Sequence, residues 1–400
     1  MDPSIILTSN YDSLREQTPT ITYPVVFDTY KQQGTAEQPI DVLYTFVRPT
    51  DDVPPLFADS GRYLALQRAK DAFASDNFLT ARDTTNPFET IGRSIFMTRA
   101  AVKLANIDAV FNVSGDVFSF DRKSSTNNLT FCDVAAGPGG FTQYLQYRYP
   151  NSIGYGMTLR SKNLDWNTSL LNMQRFTPFY GADNNGDLYK SWQQFVDFVL
   201  KQQPKGVDLV TADGGFDVEE GGDRTLLQKQ EFLSSRLLVV QSLVGIACTR
   251  VGGNFVLKVF DTVTQISAQV LYLLSQCFEQ LTMFKPVTSR PANAERYLIC
   301  QGRRTNIQPY YNILAETARA YTNEQYLSSI FESVLPEYFT SWLVRANTQS
   351  IERQLISTQR ILLYMQGRPL VIERYNIAKF LTIWNLPDTP PNKRRDKLVI

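Results

Sequence analysis

The chain has 400 residues, of which 43% are hydrophobic and 20% charged, a composition typical of globular proteins and unlike that of disordered or collagen-like chains. At roughly 150 residues per domain, this length allows two or three domains. The 40 basic and 39 acidic residues leave a formal net charge of +1, so an anionic partner must be held by a local patch. Histidine is absent, which excludes histidine-ligated metal sites, Ser-His-Asp and Cys-His nucleophile systems and imidazole acid–base chemistry. If the protein is an enzyme, we expect Lys, Asp, Glu or Tyr to accept the proton.

The cysteines and the apolar segments indicate the compartment. Cys132, Cys248, Cys277 and Cys300 form no Cys-x-x-Cys pair, which argues against a zinc site or a disulfide framework. The N-terminus lacks the basic and apolar regions of a signal peptide, and the most apolar stretch, residues 237–248, is too short to span a membrane. We therefore expect an intracellular protein, nuclear or cytoplasmic, with no membrane contact and no metal.

Taken in chain order, the sequence predicts three regions. Residues 1–85 mix polar and aromatic segments and form an N-terminal extension with a helix over residues 63–78. Residues 86–305 alternate short apolar runs with helical stretches. Residues 306–400 are interpreted as a helical C-terminal extension that ends in a basic tail at residues 393–397.

The middle region carries the strand signals. The predicted strands are residues 129–134, 153–158, 207–212, 254–260, 280–284 and 296–299. The predicted helices, with those of the C-terminal extension, are residues 95–104, 226–250, 323–334 and 351–365. Gly252-Gly253 follows the second of these helices as a typical helix end. Strands separated by helices form β-α units, so the predicted fold class is α/β, with a mostly parallel central sheet flanked by helices.

A glycine-rich loop follows the first of these strands. The segment Asp133-Val134-Ala135-Ala136-Gly137-Pro138-Gly139-Gly140 leads into a helix that starts near Phe141. Glycines allow the backbone to approach a ligand closely, and the free N–H groups of a helix N-terminus favour an anionic or zwitterionic ligand. Taken alone, the segment also fits a tight turn that binds nothing.

The spacing within this loop argues against two common nucleotide sites. A dinucleotide-binding G-x-G-x-x-G would need glycine where Thr142 stands, and residues 141–164 contain no acid to hold a ribose. The G-x-x-x-x-G-K-[ST] pattern of P-loop NTPases is absent from the sequence. The pattern Asp-x-Ala-x-Gly-x-Gly-Gly instead favours S-adenosylmethionine as the cofactor.

Four further segments, together with the loop, resemble a known family. They are Arg99–Leu104, Ala212–Gly215, Phe255–Phe260 and Lys285–Tyr297. In this order they resemble the FtsJ/RrmJ-like RNA 2'-O-methyltransferase family, whose signature is a Lys-Asp-Lys-Glu tetrad. The tetrad falls here on Lys103, Asp213, Lys258 and Glu295. The resemblance covers residues 80–303 and implies a Rossmann-like S-adenosylmethionine-dependent methyltransferase fold; several segments resemble the cap-specific mRNA 2'-O-methyltransferases of the family.

A lysine base suits a chain without histidine. Lys258 lies in an otherwise apolar strand, where an unpaired ammonium would be costly. A ribose 2'-hydroxyl must lose its proton as its oxygen attacks a methyl group, and an amine with an ordinary pKa of ~10.4 is only about 0.1% deprotonated near neutral pH. Lowering the pKa of such an amine by ~2 raises the deprotonated fraction to about 10%, and a second ammonium nearby has this effect.

The resemblance and this chemistry together imply a role for each member of the tetrad. Lys258 is the expected general base. Lys103 is expected to favour the free amine of Lys258 and to orient the hydroxyl, while Asp213 and Glu295 position the two amines. Taken singly, Lys103 and Glu295 also fit solvated surface charges, and Asp213 a turn former.

The resemblance also implies contact residues. S-adenosylmethionine is expected at Asp133, Ala135, Ala136, Gly137, Pro138, Gly139, Gly140, Phe141, Asp187 and Leu188. RNA is expected at Thr98, Asp108, Arg290, Asn293 and the stretch Asp223–Thr225. For Arg290, an ion pair with a nearby carboxylate is an equal alternative.

The implied partner is the capped 5' end of a single-stranded mRNA. With the net charge near zero, we expect a confined basic groove, formed by Arg99, Lys103, Arg160, Lys162, Lys258, Lys285 and Arg290. Other capping or transcription proteins are candidate partners, and the basic tail fits a solvated terminus, a nucleic-acid arm or a sorting signal. The length predicts a compact form of the enzyme, of viral or cellular source; a viral one would act in the viral factory.

Two other functions stay open on the sequence. One is methylation of ribosomal or transfer RNA on the ribose 2'-hydroxyl, and the other is an inactive homologue that serves as an RNA-binding scaffold. Residues 156–159 and 291–293 favour the cap class. The intact tetrad argues against the scaffold.

Overall fold

The computed structural model describes residues 28–31, 40–48, 54–73, 77–114, 128–215, 230–322, 325–368, 370, 372 and 375–388. The strands are β1 (Asp28–Lys31), β2 (Val42–Val47), β3 (Thr130–Val134), β4 (Ile153–Met157), β5 (Phe176–Phe179), β6 (Val207–Ala212), β7 (Thr249–Val259), β8 (Phe278–Phe284), β9 (Arg296–Arg303) and β10 (Tyr326–Phe331). The helices are α1 (Ser60–Asp71), α2 (Phe78–Thr85), α3 (Arg99–Phe111), α4 (Gly140–Arg148), α5 (Leu188–Gln202), α6 (Gln230–Leu233), α7 (Ser235–Cys248), α8 (Gln265–Cys277), α9 (Gln308–Ala320), α10 (Glu337–Met365) and α11 (Ile377–Ile383). Within the described ranges, no helix has both the length and the apolar character that a membrane span requires.

Eight strands form the central sheet, in the order β1-β8-β9-β7-β6-β3-β4-β5. Strands β7, β6, β3, β4 and β5 are parallel, whereas β9 runs antiparallel to β7 and β8, and β1 antiparallel to β8. The predicted mostly parallel sheet with flanking helices is therefore confirmed. The carboxyl ends of β3, β6 and β7 meet at one edge, which is where open α/β sheets bind their ligands.

Alternate residues of the central strands face two separate hydrophobic cores. In β7, Leu257 packs on the side of α5, α7 and α8, whereas Val256 packs on the side of α3 and α4. In β9, Leu298 and Tyr297 divide between the two cores in the same way. Lys258 lies two residues after Val256, so this alternation directs its side chain to the face that α3 and α4 cover.

The terminal regions pack against the central sheet. From the N-terminal side, β1 adds an edge strand, with Tyr30 opposite Leu281 of β8. Strand β2 pairs antiparallel with β10 in a second sheet of two strands. Helix α1 lies against the long helix α10, and Arg62 and Glu352 form an ion pair between them at 2.9 Å.

The helix predicted over residues 323–334 is wrong. The described chain forms β10 there, with Leu327 and Ile330 fully buried. Gln269 of α8 holds this strand, since its amide donates to the carbonyl of Phe331 and its side-chain oxygen accepts from the N–H of Ile330. These partners are distant in sequence, so local propensity does not indicate them.

The end of the helix predicted over residues 226–250 is also wrong. Helix α7 ends at Cys248, and β7 begins at once with Thr249. Gly252 and Gly253 therefore lie inside the strand, with Gly252 at a φ of +73°. The register between β6 and β7 shifts in this part of the ladder, which identifies the glycines with a bulge rather than with a helix cap.

The other predicted elements match the structure with shifted ends. The five remaining strands correspond to β3, β4, β6, β8 and β9, and residues 254–260 to the second half of β7. The helix predicted over residues 63–78 corresponds to α1, which ends at Asp71, and the helix predicted over residues 95–104 begins only at Arg99, as α3. Residues 351–365 are the second half of α10. The stretch 223–225 and the basic tail at 393–397 lie outside the described residues.

Candidate active site

The glycine loop joins β3 to α4 in a closely packed turn. A Cβ on Gly137 would lie 1.7 Å from the carbonyl oxygen of Leu164, and one on Gly140 would lie 2.1 Å from Oγ1 of Thr98. Neither position has room for a side chain, and Gly139, at a φ of +106°, also needs the freedom of glycine. The N–H groups of the first turn of α4 have no partner within the helix and face the edge where the parallel strands end.

Asp133 lies beneath this loop. Its carboxylate is fully buried and accepts hydrogen bonds from the N–H and hydroxyl of Thr142, at 3.1 and 2.7 Å, and from the hydroxyl of Thr211 at 2.7 Å. Burial raises the pKa of this carboxyl to about 7. Asp133 therefore connects β3, β6 and the first turn of α4 and stabilises the loop from below, whereas the sequence predicted a direct contact with the cofactor.

Lys258 and Asp213 form one pair at the edge of the sheet. Asp213 directly follows β6, and Nζ of Lys258 on the neighbouring β7 lies 3.3 Å from its Oδ1. The same carboxylate oxygen accepts a hydrogen bond of 2.8 Å from the hydroxyl of Tyr297. In the ladder between β7 and β9, Tyr297 stands directly opposite Lys258. Burial raises the pKa of the Tyr297 hydroxyl, so it remains a donor.

Lys103 and Glu295 form the second pair. Nζ of Lys103 on α3 lies 2.6 Å from Oε1 of Glu295, which also accepts 2.7 Å from the hydroxyl of Ser289. Burial would raise the pKa of Glu295, but the ammonium groups of Lys103 and Lys258 outweigh that effect and hold it at about 2. Glu295 is thus a carboxylate at any working pH and feels the charge of both lysines.

The two pairs belong to one cluster because of the strand register. Glu295 and Tyr297 are two residues apart and share one face of the chain entering β9, and Tyr297 is opposite Lys258. Helix α3 covers that face and carries Lys103 to Glu295. The structure therefore brings all four residues of the tetrad together, with side chains that are each 13–16% exposed.

The two glycines after Asp213 make room for this cluster. A Cβ on Gly215 would lie 2.9 Å from Cε and 3.1 Å from Nζ of Lys258. A Cβ on Gly214 would lie 2.5 Å from Oε1 of Gln241, the atom that accepts 2.9 Å from the Gly214 N–H. A side chain at either position would have to displace the end of the Gln241 or Lys258 side chain, which accounts for the Asp-Gly-Gly segment.

Comparison with known proteins now identifies the family. A family model described as FtsJ-like methyltransferase matches residues 96–303, which include the loop and all four tetrad residues. The chain belongs to this FtsJ-like methyltransferase family.

Relatives in this family carry the name cap-specific mRNA (nucleoside-2'-O-)-methyltransferase 1. Those of Xenopus laevis and Homo sapiens are 35% identical to this chain over 352 and 345 residues, and that of Drosophila melanogaster is 34% identical over 348 residues. Each match covers 80 or 81% of this chain but only 40 to 43% of the relative. The chain thus spans about two fifths of the length of these relatives.

Three of the predicted RNA contacts lie in segments next to tetrad residues: Thr98 before the helix of Lys103, and Arg290 and Asn293 before Glu295. Thr98 precedes α3, and its buried hydroxyl has no hydrogen-bond partner among the described residues. Asn293 lies in the segment before Glu295, and its backbone and side-chain oxygens accept from Nζ of Lys285 at 2.8 and 2.7 Å.

Arg290 makes the ion pairs that the alternative interpretation proposed. Its Nη2 lies 3.6 Å from Oε1 of Glu89 and 3.9 Å from Oδ1 of Asp83. Glu89 also binds the guanidinium of Arg99 through both of its oxygens. One carboxylate therefore joins two arginines beside the tetrad.

Asp108 is not part of this group. It lies near the C-terminal end of α3, and its buried carboxylate accepts 2.7 Å from the hydroxyl of Ser114 and 2.9 Å from that of Tyr144. These bonds join the end of α3 to α4 inside the core. The structure therefore does not bring Asp108 to the tetrad, and its contact with RNA stays a prediction.

Asp187 and Leu188 lie at the start of α5, beside the glycine loop. Asp187 caps the helix by accepting 3.0 Å from the N–H of Tyr189. A Cβ on the preceding Gly186 would lie 1.7 Å from the carbonyl oxygen of Thr158, whose hydroxyl in turn accepts from the N–H of Gly137 at 3.2 Å. The segment and the loop thus share one neighbour, as a common cofactor site requires.

Sequence reasoning missed the roles of Tyr297, Ser289 and Lys285 at this site. Lys285 donates 2.7 Å to the carbonyl oxygen of Glu295, in addition to its two bonds with Asn293, and burial lowers its pKa to about 7. Ser289 and Lys285 thus hold the segment that presents Glu295. A signal for Tyr297 was present, because residues two apart in an extended segment share a face.

Asp133 gives the FtsJ-like domain a pH-dependent stability. Its pKa is about 7 in the folded protein against 3.8 for an ordinary Asp, so the unfolded chain releases this proton at lower pH. The folded state then loses about 1.4 kcal/mol per pH unit between those two values. Asp133→Asn, which never ionises, is expected to gain stability relative to wild type as the pH rises from about 4 to 7, and to gain no more above that.

Urea unfolding of the wild type and of Asp133→Asn at a series of pH values measures this difference. Parallel profiles of the two proteins across the window would show that Asp133 does not titrate there. Asp197→Asn, an exposed change on α5, serves as the control for loss of a carboxylate.

Proposed function

We propose that this chain transfers a methyl group from S-adenosylmethionine to the ribose 2'-hydroxyl of the first transcribed nucleotide of m7G-capped mRNA, converting cap 0 into cap 1. The observation that carries this proposal is the cluster of Lys103, Asp213, Lys258 and Glu295 beside the glycine loop, in a chain without histidine. The names of the relatives support the choice of capped mRNA.

The residues around the loop suit the cofactor. Asp133 already binds the N–H of Thr142. The N–H groups of Gly140 and Phe141, with the backbone of residues 135–140, are the candidate surface for a zwitterionic amino-acid group. Asp187 and Leu188 at the start of α5 are the candidates for the other end of the molecule. When bound, S-adenosylmethionine supplies an electrophilic methyl group.

In the proposed mechanism, Lys258 accepts the proton of the 2'-hydroxyl as a free amine. Asp213 holds Nζ of Lys258 at 3.3 Å, and the hydroxyl of Tyr297 donates 2.8 Å to the same carboxylate oxygen. After proton transfer, the new ammonium forms an ion pair with a carboxylate already in place, so little reorganisation is needed. The partly buried position of the cluster strengthens this interaction relative to water.

Lys103 has the role of orienting the hydroxyl. Its Nζ is fixed by Glu295 at 2.6 Å, and Glu295 is in turn fixed by Ser289. An ammonium keeps N–H donors beyond the one that Glu295 accepts, and these can hold the attacking oxygen.

The RNA groove is less basic than its count of lysines and arginines suggests. Arg99 and Arg290 share Glu89, while Arg160 lies 3.9 Å from Asp165 and its guanidinium lies 4.8 Å from the centre of the Tyr180 ring. Carboxylates thus compensate much of the local charge. Single-stranded RNA would then be held in larger part by stacking and by contacts with the cap.

Two other functions make different predictions. A methyltransferase for ribosomal or transfer RNA would use the same cluster but would not need a cap. A scaffold homologue would bind RNA without transferring a methyl group.

Because the proposed substrate is capped mRNA, other capping or transcription proteins are proposed as partners. The C-terminal helices α10 and α11 are the candidate contacts for them.

One assay separates these functions. Purified protein would be incubated with labelled S-adenosylmethionine and with capped, uncapped or already cap-1 RNA, and the methylated nucleotide would be mapped. We expect label only in capped RNA, on the first transcribed nucleotide. Label in uncapped RNA would favour the ribosomal or transfer RNA function, and binding without label in any RNA would favour the scaffold.

Substitution of Lys258 tests the base. Lys258→Ala is expected to abolish transfer while leaving affinity for S-adenosylmethionine within about threefold, because the loop is untouched. Lys258→Arg should be equally inactive, since arginine keeps the positive charge but does not give up its proton at neutral pH. Lys201→Ala, an exposed change at the end of α5, is the control. A rate near that of wild type for either variant of Lys258 would disprove its role as base.

A further inference from the structure

A buried polar network ties together the chain segments that carry Lys258 and Glu295. Arg296 follows Glu295 directly, and its side chain is 2% exposed. Its Nη2 donates to the carbonyl oxygen of Phe260 at 3.0 Å and to that of Asp261. Phe260 lies two residues after Lys258. One guanidinium thus joins the end of β7 to the start of β9.

Asn347 of α10 completes this network. Its Oδ1 accepts 2.8 Å from Nη2 of Arg296 and 2.9 Å from the hydroxyl of Thr262. Its Nδ2 donates 2.8 Å to the carbonyl oxygen of Phe57 and 2.8 Å to that of Thr262. The side chain is fully buried, and both amide hydrogens and both lone pairs of its oxygen are used.

A second side-chain amide on α10, that of Gln354, also bonds to the turn that follows Lys258. Nε2 of Gln354 donates 3.0 Å to Oδ1 of Asp261, and its Oε1 accepts 2.8 Å from Nζ of Lys70 on α1. Asp261 is the residue whose carbonyl oxygen accepts from Arg296. Helices α1 and α10 are therefore both connected to the turn that follows Lys258.

The location of these amides matters, because α10 lies outside the region that the FtsJ-like family model matches, residues 96–303. The tetrad lies within that region, while part of its support comes from a helix that begins at Glu337.

Nη2 of Arg296 also lies 3.0 Å from the hydroxyl of Thr262. Without Asn347, its two hydrogens are shared among Phe260, Asp261 and Thr262 alone, so the guanidinium and the segments bonded to it are fixed less firmly relative to α10. Shifts of about 1 Å at reacting groups can lower a rate by about 100-fold.

We propose that Asn347 is a positioning residue for methyl transfer, which holds Arg296 and through it keeps Lys258 and Glu295 in register. This inference rests on the proposed function. It assigns to α10 a part in the reaction, in addition to its packing against the sheet.

Three variants of α10 separate positioning from stability. Asn347→Ala removes the acceptor for Arg296, and we expect kcat on capped RNA to fall about tenfold or more, with KM for S-adenosylmethionine changed by less than about threefold. Asn347→Asp keeps an acceptor for Arg296 but loses both donated bonds, so it should be destabilised while retaining kcat within about threefold of wild type. Leu343→Ala removes a fully buried apolar side chain of the same helix and should lower stability, with kcat unchanged.

Hydrogen exchange gives a readout that does not depend on the substrate. In Asn347→Ala, the amides of residues 258–262 and 295–298 should exchange faster than the change in global stability accounts for, whereas in Leu343→Ala they should exchange faster only by that change. If Leu343→Ala and Asn347→Ala lose equal amounts of kcat and of hydrogen-exchange protection, Asn347 has only a structural role, and the inference is overturned. If wild-type protein transfers no methyl group, the proposed function fails, while the exchange data still decide whether Asn347 fixes these two segments.

Discussion

The arrangement of the site depends on a single carboxylate oxygen, Oδ1 of Asp213. It lies 3.3 Å from the ammonium of Lys258 and accepts 2.8 Å from the hydroxyl of Tyr297. This arrangement requires that β6, β7 and β9 are neighbours and that Lys258 and Tyr297 are in register. Glycine at positions 214 and 215 leaves room for it, since a side chain at either would have to displace the end of the Gln241 or Lys258 side chain.

Charge compensation is the second constraint. Lys103 and Lys258 each face one carboxylate, so two partly buried ammonium groups are held with two partly buried carboxylates. Removal of any one member would leave an unpaired charge in a poorly solvated place, which costs more than the pair itself contributes. The same principle applies next to the tetrad, where Glu89 holds Arg99 and Arg290. Around the proposed site, the lysine and arginine charges are therefore largely balanced by carboxylates, as they are in the chain as a whole.

The tetrad was predicted from the order of motifs that the chain shares with the FtsJ-like family, and local signals in the sequence supported part of it. A lysine inside an apolar strand, an acid before two glycines and a strand that runs into a glycine loop each violate a simple pattern, and such violations mark functional positions. The predictions that failed depended on distant partners. Residues 326–331 form a strand because β2 and Gln269 pair with them. The network of Asn347 and Arg296 joins residues 51 positions apart, so no window of sequence contains it.

The central claim is that Lys103 and Glu295 act as one unit on the 2'-hydroxyl, with Glu295 fixing the ammonium that orients it. A double-mutant cycle on Lys103→Met and Glu295→Gln, read as the single-turnover rate of methyl transfer to capped RNA, tests it most directly. If Lys103 and Glu295 act as one unit, the double variant will be about as slow as the slower single variant, with a coupling free energy of about 1 kcal/mol or more. If the losses multiply as for independent residues, Glu295 does not act through Lys103, and the two residues do not form one catalytic unit.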